Sequence, residues 1–191
     1  MNICVYGASS NQLAGAYIQA AEELGALLAR RGHGLVFGGG AQGVMGAVVR
    51  GAHREGGYTL GIAPTFFNVD GILYPNCSEF LYTETMRERK QQMEERSDAF
   101  VMAAGGIGTF EEFFEVLTLK QLGRHNKPIA VLNTNGYFDS LQQQMERCVA
   151  ENFMKPACLN IYRSFAEPAA LLDYLESAEA KAIDVRHLKN I

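Results

Sequence analysis

The stretch Ala103 to Glu115, AAGGIGTFEEFFE, leaves this chain few ways to fold. An apolar run, Ala99 to Ala104, leads into it and reads as a buried strand. Three glycines follow, Gly105, Gly106 and Gly108. A helical pattern comes next, with Phe110, Phe113, Phe114 and Leu117 at the spacing of one face. A strand that turns through glycines into a helix aims backbone N–H groups and the positive end of the helix dipole at an anion, most often a phosphate. Glycine allows positive φ and lets the backbone approach a ligand without a Cβ in the way.

Two carboxylates stand at the start of that helix, Glu111 and Glu112. Thr109 to Glu112 is T-x-x-E, so the simpler reading is a capping box. The other is that one carboxylate faces a ligand and does chemistry. A phosphate ~6 Å from a carboxylate, at an effective dielectric of ~20, is repelled by about 3 kcal/mol per unit charge. A phosphate site here therefore needs a cation from elsewhere. The densest basic cluster precedes the strand: Arg87, Arg89 and Lys90, in TMRERKQQM. On a solvated helix Lys90 would pair with Glu94 at i,i+4. Arg89 lies beside the Met86–Met93 edge, which allows it to point into a crevice.

The rest of the chain repeats the alternation. Strands are expected over Met1–Tyr6, Gly34–Phe37, Tyr58–Ala63, Glu79–Thr83, Ala99–Ala104 and Pro128–Leu132, with a last one near Asn160 to Arg163. Helices are expected over Gly15–Arg31, Gly43–Glu55, Met86–Ser97, Phe110–Leu122, Tyr137–Asn152 and from Pro168 to about Leu175. The second of these is small on one side (Gly43, Gly46, Ala47, Gly51), which predicts close packing against the sheet. Pro64 to Glu79 is a long irregular connection suited to a lid. The pattern predicts an α/β fold: one doubly wound, mostly parallel Rossmann-like sheet with helices on both faces. Residues 1–176 read as a single nucleotide-binding domain, and 177–191 as a poorly anchored tail. The fingerprint G-x-G-x-x-G is absent after the first strand, so an ordinary NAD site is not expected. Ligands in such sheets bind beyond the carboxyl ends of the strands. Three turns belong there: Gly7–Ser10, Gly38–Gly43 and Gly105–Gly108.

The 191 residues suffice for one substantial core, and a net charge of −4 argues against broad nucleic-acid binding. Cys4, Cys77, Cys148 and Cys158 are widely spaced, as expected of reduced thiols in a cytoplasmic protein rather than of a disulfide frame or zinc site. No apolar run approaches membrane-spanning length, and no metal or cofactor is expected.

Gly105-Gly106-Ile107-Gly108-Thr109-Phe110-Glu111-Glu112 resembles the PGGxGTxxE signature of the Lonely Guy family, the cytokinin riboside 5'-monophosphate phosphoribohydrolases. Met86-Arg87-Glu88-Arg89-Lys90 resembles that family's Met-x-x-Arg-Lys element. Gly38-Gly39-Gly40 before Gly43-Val44-Met45-Gly46, and Gln121-Leu122-Gly123 before Lys127-Pro128-Ile129, also fit. Ala104 departs from the signature's proline, and Arg87 stands at a position often filled by histidine. The resemblance implies hydrolysis of the N-glycosidic bond of an adenosine 5'-monophosphate, plain or N6-substituted, giving free base and ribose 5-phosphate. It implies Glu112 and Arg89 as the catalytic pair. It places the 5'-phosphate on Gly105, Gly106, Gly108 and Thr109, with Lys90 offsetting charge and Gly39, Gly40 and Met86 walling the base. It also implies a homodimer. Under the resemblance, the functional reading of Glu112 overtakes capping.

Two other functions are open to such a chain. A non-catalytic carrier of a nucleotide or phosphorylated cofactor would need the glycine loop but not the carboxylate. Lysine decarboxylation, a label often attached to this family, needs a Schiff-base lysine for pyridoxal phosphate. No lysine falls at the expected strand ends, which disfavours it.

Overall fold

Among the described residues seven strands form one sheet in the order β4-β3-β2-β1-β5-β6-β7, and every strand pair is parallel. A computed structural model describes residues 1–178 and residue 188. The strands are β1 (Asn2–Tyr6), β2 (Gly34–Phe37), β3 (Thr59–Pro64), β4 (Glu79–Thr83), β5 (Ala99–Met102), β6 (Ile129–Leu132) and β7 (Arg163–Phe165). The helices are α1 (Gly15–Arg30), α2 (Gly43–Arg54), α3 (Met86–Glu95), α4 (Ile107–Gln121), α5 (Asp139–Ala150) and α6 (Pro168–Ser177). Single 3-10 turns occupy Thr65–Phe67, Thr134–Gly136 and Pro156–Asn160.

Strand alternation decides which core each side chain enters. Ile3 and Val5 of β1, with Ala99 and Val101 of β5, pack with α1, α2 and α6 through Leu24, Leu28, Val48 and Leu172. Cys4 and Tyr6, with Phe100 and Met102, pack on the opposite face with α3, α4 and α5 through Met93, Phe113, Val116 and Met145. Both faces of the central strands are thus apolar, which is why they read as continuous apolar runs.

The chain builds outward from β1 to β4 and then returns to β5 on β1's other side. The order therefore reverses between β1 and β5, the place where sheets of this kind open a crevice.

Three expectations are corrected. The small face of α2 packs on α1 rather than on the sheet. A Cβ on Gly51 would sit 2.0 Å from the Glu22 carbonyl oxygen, and one on Gly25 would sit 1.9 Å from that of Val48, so the two backbones meet. Residues 156–160 coil into a 3-10 turn, which delays the last strand to Arg163–Phe165. Helix α4 begins at Ile107, three residues earlier than the pattern of phenylalanines suggests, because glycine at 106 and 108 carries no side chain that would mark the first turn. The expected tail from Ser177 lies mostly outside the described residues. Leu188 is described and buried, its carbonyl accepting from Gln121 Nε2 at 3.3 Å and from Cys158 Sγ at 3.2 Å.

Candidate active site

Helix α3 is started by a reciprocal cap. The Glu88 N–H donates to Thr85 Oγ1 at 3.1 Å, and the Glu88 carboxylate accepts from the Thr85 N–H at 3.4 Å. The T-x-x-E pattern occurs twice in the sequence, at Thr85 and at Thr109, and only the copy at Thr85 forms a cap. At Thr109 α4 is already helical: its N-cap is Gly106 and no side chain caps it. The capping role is therefore excluded for Glu112, which lies in the helix body.

With α3 so placed, Arg89 comes inward. Its Nε donates to the Ile62 carbonyl at 3.2 Å and its Nη1 to Glu112 Oε1 at 2.7 Å. Both side chains are about nine-tenths buried. Glycine at position 38 leaves the guanidinium room, since a Cβ there would lie 2.1 Å from Arg89 Nη2. Burial is the largest influence on the Glu112 carboxyl and pushes it above the ordinary carboxylate range; the Arg89 guanidinium pulls the other way.

Lys90 turns outward from this pair. Its ammonium lies on Glu111, and on Glu115 Oε2 at 2.9 Å, rather than on Glu94. It does not line the cavity described below. Lys90 thus joins α3 to the first turns of α4 instead of presenting a free charge to a ligand. Arg87 is exposed, as on a solvated face.

A cavity of about 660 Å³ opens at the carboxyl ends of β1, β2 and β5, within the range of small-molecule sites. Gly106, Gly108, Thr109, Glu112, Arg89, Met86 and Gly40 line it, as the sequence suggested. Gly39 and Gly105 are not among its lining residues. Each serves from behind: the Gly39 carbonyl accepts from the Tyr74 N–H at 2.8 Å, and the Gly105 carbonyl accepts from Tyr137 Oη at 2.9 Å. The N–H groups of Ile107, Gly108 and Thr109 open α4 ahead of its first turn bond, Phe110 N–H to the Gly106 carbonyl at 3.0 Å, and lie at this end of the sheet. Arg89 is the only cation among the described lining residues, against Glu111 and Glu112.

The two earlier glycine turns reach the rim where they are expected, and further residues join them. Ala8, Ser9 and Ser10 line the cavity from the first glycine turn, Gln42 from the second and Met45 from the first turn of α2. The long connection after β3 adds Phe67, Gly71, Ile72 and Leu73. Its returning half is tied down by the Gly40–Leu73 bridge and by the Ala41 N–H to Ile72 carbonyl bond of 2.9 Å. The tip carries exposed Phe66 and Val69. Nothing in sequence spacing aligns this loop with the other turns; only the strand order does.

Other reactive groups are muted. Burial pushes the Cys4 thiol up to about 12 and the Cys77 thiol to about 11, so neither is a ready nucleophile. Among the described residues no group of His, Cys, Asp and Glu is arranged to hold a metal, and no helix is long and apolar enough to cross a membrane.

Solved structures with this fold include a molybdenum cofactor binding protein from Rippkaea orientalis. It superposes with a TM-score of 0.71 at 23% identity, covering 92% of this chain and 95% of that one. A molybdenum cofactor carrier protein from Chlamydomonas reinhardtii gives 0.69 at 23% identity, with 92% and 94% covered. These likenesses establish the fold alone. Sequence relatives are nearer. A protein of Arabidopsis thaliana named cytokinin riboside 5'-monophosphate phosphoribohydrolase is 37% identical over 182 residues, 95% of this chain and 85% of its own length. One of Oryza sativa subsp. japonica, named "Probable cytokinin riboside 5'-monophosphate phosphoribohydrolase", is 38% identical over 174 residues, 91% and 77% of the two chains. Residues 45–175 also match the sequence model of a family described as "Possible lysine decarboxylase". With the glycine turn, the buried Arg89–Glu112 pair and these matches together, the chain belongs to the Lonely Guy family of cytokinin riboside 5'-monophosphate phosphoribohydrolases.

Proposed function

We propose that this protein hydrolyses the N-glycosidic bond of an adenosine 5'-monophosphate, plain or N6-substituted, to free base and ribose 5-phosphate. The observation that carries the reading is the Glu112 carboxylate, buried, held by Arg89 at 2.7 Å and lining the cavity. A carrier of a phosphorylated ligand needs the glycine turn but has no use for that pair. The reading also agrees with the names of the relatives.

Breaking a ribosyl bond develops positive charge on the sugar. A carboxylate beside the anomeric carbon stabilises that charge and accepts a proton from the attacking water. Glu112 takes this role and Arg89 fixes its orientation. The leaving base carries away the bonding electrons and is protonated on departure. The 5'-phosphate lies on the N–H groups of Gly106, Gly108 and Thr109, with Ser9 and Ser10 opposite. Met86 and Gly40 flank the base. Lys90 acts indirectly, by lowering the repulsion that Glu111 exerts on the phosphate. Pyridoxal-dependent decarboxylation has less support, since no lysine is among the described residues that line the cavity.

The protein acts in the cytoplasm as a homodimer in this reading, with residues 1–176 as the nucleotide-binding unit. Free thiols at all four cysteines support the compartment. Exposed Ile107 and Phe114 on one face of α4 support self-association. A solution mass equal to that of one 21.0 kDa chain would count against the dimer.

The test is incubation of purified protein with AMP and with N6-isopentenyl AMP, following base and ribose 5-phosphate. Both products should appear, and Glu112→Gln should lower the rate about 10²- to 10⁴-fold. No release from either nucleotide, with a phosphorylated ligand still bound, would move the assignment to a carrier.

A further inference from the structure

The loop at the phosphate end of the cavity is oriented by a side chain that does not line the cavity. Tyr137 follows β6, just after the 3-10 turn Thr134–Gly136. Its hydroxyl donates to the Gly105 carbonyl at 2.9 Å. The preceding carbonyl, Ala104, accepts from the Ala8 N–H at 3.0 Å. Two successive peptide planes of the β5–α4 turn are therefore pinned from outside the turn.

The consequence follows from peptide geometry. In a trans peptide the C=O and N–H point to opposite sides, and the described chain contains no cis bond. The Gly105 carbonyl and the Gly106 N–H belong to one plane. With the carbonyl turned to Tyr137, that N–H points the other way. Gly106 lines the cavity and Gly105 does not. The phenol is 42% exposed and is braced on its ring by two aromatic neighbours. Its ring meets Tyr17 edge-on at 5.5 Å and Phe138 at 4.9 Å. Asn133 locks the turn beneath, accepting from the Phe138 N–H and donating to Asp139 Oδ1, both at 2.7 Å.

We infer that Tyr137 is a positioning residue for phosphate recognition: its hydroxyl sets the Gly105–Gly106 peptide so that the Gly106 N–H is presented to the 5'-phosphate of the ligand. The inference rests on the nucleotide reading above. A freely rotating peptide would present a carbonyl oxygen to the anion part of the time, and a carbonyl repels it. The hydroxyl removes that alternative, and it does so without touching base or sugar.

Tyr137→Phe deletes the hydroxyl and keeps the ring contacts. The KM for AMP should rise about three- to tenfold, with kcat within about twofold. The Kd for ribose 5-phosphate, from titration calorimetry, should rise by the same factor. Adenosine, which lacks the phosphate, should inhibit parent and variant equally. An unchanged ribose 5-phosphate affinity would overturn the inference. So would equal losses for ribose 5-phosphate and adenosine, which would mark a general loosening, or an absence of ribose 5-phosphate binding to the parent. If the parent binds ribose 5-phosphate but releases no base, the hydrolase reading fails while the affinity comparison still decides the role of Tyr137.

Discussion

Glu112 and Lys90 show what side-chain identity alone can and cannot convey. The acid, the arginine and the glycines of the site are all visible as residues, and the resemblance of the motifs names Arg89 and Glu112, which the structure brings to 2.7 Å. The partner of each charge is not visible, because it depends on how α3 lies on α4. Arg89 and Lys90 are adjacent in sequence, yet one reaches Glu112 and the other Glu111 and Glu115. The burial of this pair gives the proposed reaction a pH signature. A carboxyl raised by desolvation ionises above the ordinary value of 4.5, so the acid limb of kcat/KM should lie above that value. The stability sign follows from linkage. The folded state favours the protonated form, so the contribution is fully present below the unfolded value and is lost as pH rises through the folded one. The unfolding free energy of the parent relative to Glu112→Gln should therefore decline as pH increases across that window. Denaturant titrations at several pH values read this directly, and a difference that grows with pH would show that the Arg89 pairing, not burial, governs the group.

Elements were legible wherever period and length agreed. β2 and β4 lie where their apolar runs place them, and the glycines after α1 and α2 stop those helices within a residue or two. Two kinds of signal misled. A capping pattern cannot be told from its copy nearby without knowing where the helix starts: Thr85–Glu88 is a cap and Thr109–Glu112 is not. A small-residue face signals close approach but does not say to what. In α2 the close neighbour is another helix, across Gly25 and Gly51. Gly51→Ala tests that contact. The added methyl would meet the Glu22 carbonyl at 2.0 Å, and backbone cannot yield as a side-chain tip does. Alanine's better helix propensity offers about 1 kcal/mol at most. Overpacking of this kind costs about 1–3 kcal/mol, so the variant should unfold at lower denaturant than the parent. Equal or greater stability would mean that α1 and α2 separate freely. Because α2 begins at the cavity, that freedom would also reach the second glycine turn.

At the scale of the molecule, the reversal of strand order makes one site out of distant pieces. The turns after β1, β2 and β5, separated in sequence by the whole of α1 and by the segment from α2 to α3, converge because their strands are neighbours. The loop after β3 joins them through its bridge to Gly40. Sequence reading anticipated the three turns on one rim, since alternation and parallel pairing suffice for that. It could not size the cavity or say which residues of the lid-like loop line it. A ligand that spans the crevice should therefore stabilise the fold as a unit rather than one turn at a time. AMP bound to Glu112→Gln, which retains substrate, should raise the unfolding free energy by about 2.7 kcal/mol at a hundredfold excess over Kd. For a chain of this length that is a rise of roughly 5–10 °C in Tm. Amide exchange under the same conditions should slow together in residues 7–10, 38–43 and 105–108. Slowing confined to residues 105–108, with the first two turns exchanging as in the free protein, would mean that the phosphate is held by the α4 loop alone and that the crevice is not one site.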